Sequence, residues 1–281
     1  MITKIGVVGA GTMGSGIALC VAQHGFTTLL FDSNATAIET AKKSISKNLS
    51  SLLEKNKLTL EEKTAIENRI QYCNEIKDCK ADLIIEAIIE KVDIKTSVFN
   101  ELALINSNKT IFTSNTSSLS INRIQEKFAY PDRFAGMHFF NPAQLMKLVE
   151  VVKGDQTSQD VIETLVEVCD RLQKTAVVCK DAPGFIVNRV ARHYYLEAMK
   201  LVSVNMASIE QVDTIMESAG FKMGPFKLMD LIGNDINLAV TTSLYDACNQ
   251  AIRFEPSPLQ IQKVQIGALG KKTGKGFYNY S

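Results

Sequence analysis

Several residue types and patterns are scarce in this sequence, and each scarcity excludes a class of protein. Only three of the 281 residues are histidines, so few side chains compete for the role of an imidazole acid or base. The six cysteines are scattered without a Cys-x-x-Cys spacing, which predicts reduced, inert thiols and no metal site or redox motif. The sequence has no run of about 18 apolar residues, which predicts a protein that does not enter a membrane.

The start of the sequence lacks the features of a secretory leader. Residues Met1–Lys4 lead directly into an apolar strand, with no basic segment followed by an apolar one. We therefore expect a cytoplasmic protein.

Neither sign of charge is in excess, since 31 Lys and Arg residues are matched by 30 Asp and Glu residues. Such a balance gives no overall field that favours nucleic acid, so we expect no nucleic acid partner and local binding of any anionic ligand. The apolar fraction of 46% and charged fraction of 22% are typical of a globular enzyme. A chain of this length is at the limit of a single core, which favours two domains.

A histidine in an apolar strand is the first candidate for catalysis. Phe134–Phe140 and Lys147–Val152 both have the pattern of short strands, and a Pro-containing loop between them predicts that Glu150 meets His138. A carboxylate on one imidazole nitrogen fixes the tautomer, so the other nitrogen can take a proton as a general base. The alternative is a structural histidine that lies between two strands with a satisfied hydrogen bond.

A glycine-rich turn near the start of the chain predicts a nucleotide site. The strand Ile5–Val8 runs into Gly9, Gly11 and Gly14 and then into a helix, whose free N–H groups can bind phosphate. The next strand ends at Asp32, at the offset where a carboxylate accepts the ribose hydroxyls. This carboxylate favours NAD over NADP, because a 2′-phosphate would meet like charge. The alternative is a plain strand-to-helix turn with a helix-capping Asp.

The following segments predict further strands and helices of an α/β sheet. Residues 35–67 have the pattern of two charged helices, and an apolar strand at 81–87 is predicted to end near Glu90. A helix at about 92–104 and a strand at 110–113 lead to the polar cluster Ser114–Ser118. Because it follows a strand, this cluster is expected to contact ligand, to cap the next helix, or to do both.

A change of pattern near residue 183 predicts a domain boundary. The last strand, Ala176–Cys179, is followed by Pro183-Gly184, and only helical periodicity follows. We therefore predict an α/β fold with two domains. Residues 1–183 form a Rossmann-type, mostly parallel sheet with a helical-hairpin insertion, and residues 184–281 form an all-α domain. The aromatic residues near the end predict that the tail after residue 270 docks back onto the fold.

Taken together, the motifs resemble the short-chain 3-hydroxyacyl-CoA dehydrogenase family, and within it the bacterial 3-hydroxybutyryl-CoA dehydrogenases. The resemblance covers essentially the whole chain, and its motifs occur in the same order. They are Gly-Ala-Gly-Thr-Met-Gly at 9–14, Ser-Asn-Thr-Ser-Ser-Leu at 114–119, Arg-Phe-Ala-Gly-Met-His-Phe-Phe-Asn-Pro at 133–142, Met-Lys-Leu-Val-Glu-Val at 146–151, Asp-Ala-Pro-Gly-Phe-Ile-Val-Asn-Arg at 181–189, Met-Gly-Pro-Phe at 223–226 and Gly-Lys-Gly-Phe-Tyr at 274–278.

This resemblance implies an oxidoreductase that interconverts (S)-3-hydroxyacyl-CoA and 3-oxoacyl-CoA with NAD. His138 and Glu150 would be its catalytic pair, with His138 taking the hydroxyl proton. Ser117 resembles the family serine that binds the reacting oxygen, and Asn188 resembles the asparagine that completes the substrate site. Substrate would therefore contact Ser117, His138 and Asn188 and lie between the two domains.

The resemblance also implies partners beyond the catalytic set. Helices within residues 35–67 would meet coenzyme A, and the C-terminal helical domain would form a homodimer. NAD would be contacted by residues of the glycine turn, of the sheet edge and of the tail. These are Gly9, Gly11, Thr12, Met13, Gly14, Asp32, Glu90, Lys95, Asn115, Ser117, His138, Asn141 and Lys275.

Two other functions are weighed against this prediction. One is a two-domain hydroxyacid dehydrogenase of another type, such as the 3-hydroxyisobutyrate or 6-phosphogluconate type. Those enzymes share the glycine turn and resemble one another in using a lysine at the catalytic centre, where this sequence has His138 and Glu150. The other is a non-catalytic, crystallin-like NAD-binding protein, which would be expected to lack the His, Glu, Ser or Asn of the site. All four are present here, which favours the enzyme.

Overall fold

The computed structural model describes residues 1–280. The chain divides into two compact units, and the second begins at Pro183. The sequence predicts a second domain that begins at residue 184, one residue later. Within the described residues, the first unit contains a sheet of eight strands. They are β1 (Lys4–Val8), β2 (Thr27–Phe31), β3 (Ile70–Cys73), β4 (Leu83–Glu86), β5 (Ile111–Ser114), β6 (Phe134–Phe139), β7 (Leu148–Lys153) and β8 (Thr175–Lys180).

The sheet is parallel except at one pair, as predicted for an α/β fold. Its spatial order is β3-β2-β1-β4-β5-β6-β7-β8, and β6 and β7 are antiparallel. Strands β4, β5 and β6 are buried along their whole length, which explains their continuous apolar sequence. Five of the strands run parallel to one another, so their carboxyl ends meet at one edge of the sheet, where open α/β sheets bind ligands. These strands are β1, β2, β4, β5 and β6.

Helices cover the sheet and add a helical pair. The helices of this unit are α1 (Thr12–Gln23), α2 (Ala35–Glu54), α3 (Leu60–Asn68), α4 (Val92–Ile105), α5 (Ile121–Gln125) and α6 (Gln159–Arg171). The α2–α3 pair is the predicted helical hairpin, and each helix begins at a capping side chain. Asn34 accepts a hydrogen bond from the N–H of Thr36, and Thr59 forms a reciprocal capping box with Glu62.

One strand ends earlier than predicted. The apolar pattern predicted a strand that reaches the vicinity of Glu90, whereas β4 ends at Glu86. The carboxylate of Glu86 accepts a hydrogen bond from the N–H of Ile88 (2.6 Å), so the chain turns out of the strand direction there. Glu90 therefore lies in the loop between β4 and α4.

The second unit is helical throughout its regular structure. Its helices are α7 (Val187–Ser203), α8 (Ile209–Ser218), α9 (Pro225–Ile232), α10 (Asn234–Ala247) and α11 (Pro258–Gln265). Two predicted helices differ in their bounds because of the backbone. The helical periodicity predicts one helix from Phe185 and another from Ile232. Phe185 has φ +47°, so α7 begins two residues later at Val187, and Gly233 has φ +106°, so α10 begins two residues later at Asn234.

The tail docks onto the helical unit, as predicted from its aromatic residues. The buried carboxylate of Asp230 accepts hydrogen bonds from the N–H groups of Phe277 and Tyr278, each at 2.9 Å, and from the hydroxyl of Tyr280 (3.0 Å). The hydroxyl of Tyr278 donates to Asp213 (2.9 Å). Two buried carboxylates thus fix the tail, because each needs these donors to offset the cost of its burial.

The cysteines are free thiols, and burial dominates their chemistry. All six are unpaired in the described residues. Burial raises the pKa of Cys79 and of Cys169 to about 12, so both remain protonated.

In residues 1–280, none of the helices has the length and apolar character that crossing a bilayer requires.

Candidate active site

The register of the antiparallel strands brings His138 and Glu150 together. In the β6–β7 ladder these residues lie directly opposite each other, and the imidazole Nδ1 and the Glu150 Oε2 are 2.7 Å apart. His138 is 6% exposed and Glu150 is 1% exposed. With Nδ1–H donating to the carboxylate, Nε2 is the nitrogen that can accept a proton. The predicted pairing is observed, and its catalytic role remains a prediction.

The glycine turn has the geometry that a pyrophosphate requires. Gly9 has φ +105°, and a Cβ on Gly14 would lie 1.7 Å from the carbonyl oxygen of Gly9, so a side chain at either position would break the turn. A Cβ on Gly11, in contrast, would meet open space, which leaves room for a ligand. Helix α1 begins at Thr12 with no acidic side chain in its first turn among the described residues. Its exposed N–H groups therefore suit an anion.

Asp32 follows β2 and is positioned by the turn itself. Its Oδ2 accepts a hydrogen bond from the N–H of Ala10 (2.8 Å), and its Oδ1 accepts one from the N–H of Asn34 (2.9 Å). The alternative that Asp32 caps helix α2 is wrong, because the side chain of Asn34 makes the capping bond. Each carboxylate oxygen of Asp32 retains acceptor capacity for a ribose hydroxyl.

The loop after β5 is organised by Glu90. One carboxylate oxygen of Glu90 accepts hydrogen bonds from the N–H of Ser117 (3.2 Å), the hydroxyl of Ser118 (3.1 Å) and the hydroxyl of Thr116. Helix α5 is capped by Ser120, which accepts from the N–H of Arg123. The cap of α5 therefore lies outside the predicted cluster Ser114–Ser118, and the ligand contact predicted for Ser117 remains a prediction.

Lys95 joins Glu90 to a second, fully buried carboxylate. Its ammonium lies 2.5 Å from Glu86 Oε1 and 3.0 Å from Glu90 Oε2, and the side chain is 1% exposed. The hydroxyl of Ser114 donates to the other oxygen of Glu86 (2.6 Å). On α4, one turn beyond Lys95, the ring of Phe99 packs edge-on against Phe134 of β6 at 4.8 Å. This packing fixes the helix that carries the ammonium.

The two carboxylates of this network have opposite electrostatic behaviour. Burial raises the pKa of Glu86, although the ammonium of Lys95 opposes the rise. At Glu90 partial burial acts in the same upward direction, but Lys95 and the hydroxyls of Thr116 and Ser118 hold the pKa below its usual value. Glu90 therefore stays ionised and keeps its hold on the Ser117 loop. Glu86 was not among the predicted residues, and an acid at the end of an apolar strand was its only signal in the sequence.

Two predicted asparagines lie at the ends of neighbouring strands. The side chain oxygen of Asn115 accepts a hydrogen bond from the N–H of Phe139 (2.8 Å) and so links the end of β5 to β6. Asn141 follows β6 and lines a cavity of about 520 Å³ beside the glycine turn. The rest of its lining comes from α1, α2 and the loop after β6: Ala10, Gly11, Thr12, Ser15, Gly16, Leu19, Asn34, Thr36, Ala37, Thr40, Ala41, Ser44, Ile45, Asn48, Pro142 and Gln144.

Of the four remaining predicted residues, two belong to the second unit and two lie in helix α1 of the first unit. Asn188 is the second residue of α7 and is partly exposed. Lys275 is exposed in the docked tail, where its carbonyl accepts a hydrogen bond from the N–H of Gly270 (2.7 Å). Thr12 and Met13 lie in the first turn of α1. The contacts predicted between these four residues and ligands remain predictions.

The mostly parallel sheet, the glycine turn and the acid after β2 define a dinucleotide-binding oxidoreductase of the α/β type. The NAD-binding domain model of 3-hydroxyacyl-CoA dehydrogenase matches residues 4–182, and the C-terminal domain model of the same enzyme matches residues 184–280. The chain belongs to the 3-hydroxyacyl-CoA dehydrogenase family. The predicted family, fold class and NAD cofactor are thereby confirmed.

Individual relatives extend along the whole chain. It is 44% identical over 281 residues to 3-hydroxyadipyl-CoA dehydrogenase of Escherichia coli, covering 99% of this chain and 59% of that relative. It is 40% identical over 289 residues to the mitochondrial hydroxyacyl-coenzyme A dehydrogenase of Rattus norvegicus, covering 100% of this chain and 92% of the relative. The solved structure of (S)-3-hydroxybutyryl-CoA dehydrogenase from Ralstonia eutropha superposes with a TM-score of 0.95 at 36% identity, covering 100% of both chains.

Proposed function

We propose that this protein interconverts (S)-3-hydroxyacyl-CoA and 3-oxoacyl-CoA, with 3-hydroxybutyryl-CoA as its substrate. The observation that carries this proposal is the 2.7 Å contact between His138 Nδ1 and Glu150 Oε2 at the edge of a dinucleotide-binding sheet. A general base must be oriented and must exchange one proton; the contact with Glu150 orients the imidazole, which supports assigning the proton exchange to His138.

Three residues of the first unit have separate roles in the proposed reaction. In the oxidation direction, His138 takes the proton of the C3 hydroxyl, and Glu150 stabilises the imidazolium that results. Ser117 hydrogen-bonds the reacting oxygen, and its loop is held by Glu90. NAD supplies the acceptor for the C3 hydride. The open space at Gly11 and the exposed N–H groups of α1 fit its pyrophosphate.

The remaining contacts extend this proposal. Asn188 contacts the substrate, and Lys95, Asn115, Asn141 and Lys275 contribute to NAD binding. For Lys95 this contribution is made through Glu90, since its own ammonium is buried.

The coenzyme A portion of the substrate is proposed to bind along the α2–α3 pair. The α2 side of the 520 Å³ cavity carries hydroxyl and amide groups of Thr36, Thr40, Ser44 and Asn48. These groups suit the amides of a pantetheine chain. Exposed lysines elsewhere on the same helix can meet the phosphates of the carrier.

The direct test is the oxidation of NADH by the purified protein in the presence of acetoacetyl-CoA, followed by absorbance. We expect turnover with acetoacetyl-CoA and none with free acetoacetate, which lacks the carrier. NADH binding without oxidation would support the non-catalytic alternative. Oxidation of a simple hydroxyacid in place of the CoA thioester would support the other dehydrogenase type.

Asp32 is expected to make the enzyme prefer NADH over NADPH. We expect its carboxylate to repel a 2′-phosphate, and a repulsion of about 1–2 kcal/mol corresponds to a ratio of roughly 5- to 30-fold in kcat/KM. Asp32→Ala should narrow this ratio by raising KM for NADH. The exposed Asp160 on α6 provides the control, because Asp160→Asn should leave the ratio unchanged. An unchanged ratio in Asp32→Ala would contradict the assignment.

We further propose that the helical unit, residues 184–281, forms a homodimer. Its helices expose large apolar side chains, including Val190 (65%), Leu231 (51%) and Ile236 (50%), and such side chains are typical of protein interfaces. Sedimentation velocity measures the assembly, and a monomer at micromolar concentration would contradict it.

A cytoplasmic location is likewise proposed. The rat relative is named as mitochondrial, and cell fractionation distinguishes the two locations.

A further inference from the structure

Lys174 is a buried ammonium that the proposed chemistry does not use. It lies between α6 and β8 and is 6% exposed. Its Nζ donates hydrogen bonds to the carbonyl oxygen of Ala143 (2.8 Å) and to that of Met146 (2.7 Å). Both carbonyls belong to residues 141–146, which we call the β6–β7 loop.

The surroundings of this ammonium do not balance its charge. Across residues 1–280, none of the ion pairs joins Lys174 to a carboxylate. The thiol of Cys20 is close to the ammonium, but burial raises the pKa of that thiol, so it stays protonated and neutral. Burying a cation among neutral groups costs free energy. We therefore expect the two hydrogen bonds from this ammonium to the loop to have a role other than filling space.

The β6–β7 loop has little structure of its own. The carbonyl of Pro142 accepts the N–H groups of Leu145 (2.9 Å) and Met146 (3.0 Å), which makes one tight turn. Lys174 binds two carbonyls of this turn, that of Ala143 inside it and that of Met146 at its end. The side chains of Leu145 and Met146 are exposed, so apolar packing of these two residues does not hold the loop.

The opposite side of the loop rests on helix α1. A Cβ on Gly16 would lie 3.2 Å from the side chain oxygen of Gln144 and 3.4 Å from the Cβ of Ala143. The loop is therefore held between α1 and the Lys174 ammonium. In this position Asn141, Pro142 and Gln144 form one wall of the 520 Å³ cavity.

The proton-transfer pair is set independently of this loop. His138 and Glu150 are opposite each other in a hydrogen-bonded ladder, and that ladder continues through Val151 and Val152 on the side away from the loop. A shift of the loop therefore changes the cavity wall and leaves the register of the pair intact.

We propose that Lys174 is a positioning residue that sets the affinity for acyl-CoA by fixing the β6–β7 loop as a wall of the substrate cavity. This proposal rests on the proposed function and adds to it a determinant of substrate binding that is separate from the chemistry. The proposal predicts that loss of the ammonium raises KM for acyl-CoA and leaves kcat nearly unchanged.

The experiment compares Lys174→Met with Lys147→Met in the full-length protein. Lys147 lies just beyond the same loop, is exposed, and reaches only the carbonyl of Gln173 at 3.5 Å, which makes it a matched control. For Lys174→Met we expect KM for acetoacetyl-CoA to rise by roughly tenfold, because two buried carbonyls lose their donor. We expect kcat to stay within about twofold and Lys147→Met to match the wild type.

Lys174→Arg covers the case in which Lys174→Met does not fold. It keeps a buried cation but presents its donors differently to the carbonyls of Ala143 and Met146, so KM for acetoacetyl-CoA should rise by less than in Lys174→Met while kcat is retained. An unchanged KM in both variants, or a fall in kcat at constant KM, would overturn the proposal. So would a rise in KM for NADH alone. A wild-type protein that does not turn over acetoacetyl-CoA would instead refute the proposed function.

Discussion

Replacing His138 with glutamine is expected to lower kcat for acetoacetyl-CoA reduction by roughly 10²- to 10⁴-fold, the usual contribution of a positioned general acid or base. Glutamine is close to histidine in size, and its amide can still donate to Glu150 across the β6–β7 ladder, so the local packing survives. It cannot exchange a proton at neutral pH. NADH binding should therefore persist, and fluorescence titration of NADH measures it separately from turnover.

Two further variants locate the effect. Glu150→Gln should reduce kcat less than His138→Gln, because the imidazole remains but loses the carboxylate that fixes its tautomer and stabilises its charged form. His193→Gln is the control, since His193 is exposed in the helical unit and packs against Phe254. Near-normal turnover in His138→Gln would show that another residue transfers the proton.

Replacing Lys95 with methionine is expected to lower the free energy of unfolding by about 3–5 kcal/mol, the usual effect of removing one partner of a buried ion pair. Methionine matches the aliphatic stem of lysine, so the loss comes from charge and hydrogen bonds. Glu86, which is fully buried, would lose its cation, and Glu90 would lose the partner that helps to keep it ionised. Urea denaturation monitored by circular dichroism measures the change.

The structure also supplies the controls for this variant. Lys127 pairs with Asp93 on the surface, and surface pairs contribute little, so Lys127→Met should leave the urea midpoint almost unchanged. Adding Glu86→Gln to Lys95→Met removes the stranded charge and should restore part of the stability. If Lys95→Met and Lys127→Met were equally stable, the buried network would have no energetic role.

The elements that were predictable from the sequence are those set by local pattern. Continuous apolar runs identified the buried strands, and the glycine spacing identified the turn before α1. The contact between His138 and Glu150 was also predictable, because two adjacent strands joined by a short loop pair in an antiparallel register. Each of these inferences uses neighbouring residues, and the chain itself enforces the geometry.

The features that were missed depend on contacts between distant elements or on single backbone angles. Neither Glu86, inside the apolar run 81–87, nor Lys174, just before the strand Ala176–Cys179, was identified from the sequence, since no local pattern reports which carbonyl or ammonium a side chain will meet. Helix α9 was not predicted, and the helix predicted from Ile232 begins at Asn234, because the positive φ of Gly233 separates the two helices. Boundaries of this kind require the tertiary structure.

The antiparallel register of β6 and β7 has a consequence for how the contact between His138 and Glu150 forms during folding. His138 and Glu150 are 12 positions apart in the chain, so the contact closes a small loop at low entropic cost. A partner from a parallel neighbour would have required a crossover connection and a later, more distant closure. The contact between His138 and Glu150 is thus encoded in one hairpin, and a circularly permuted chain opened outside residues 134–153 would keep it whole.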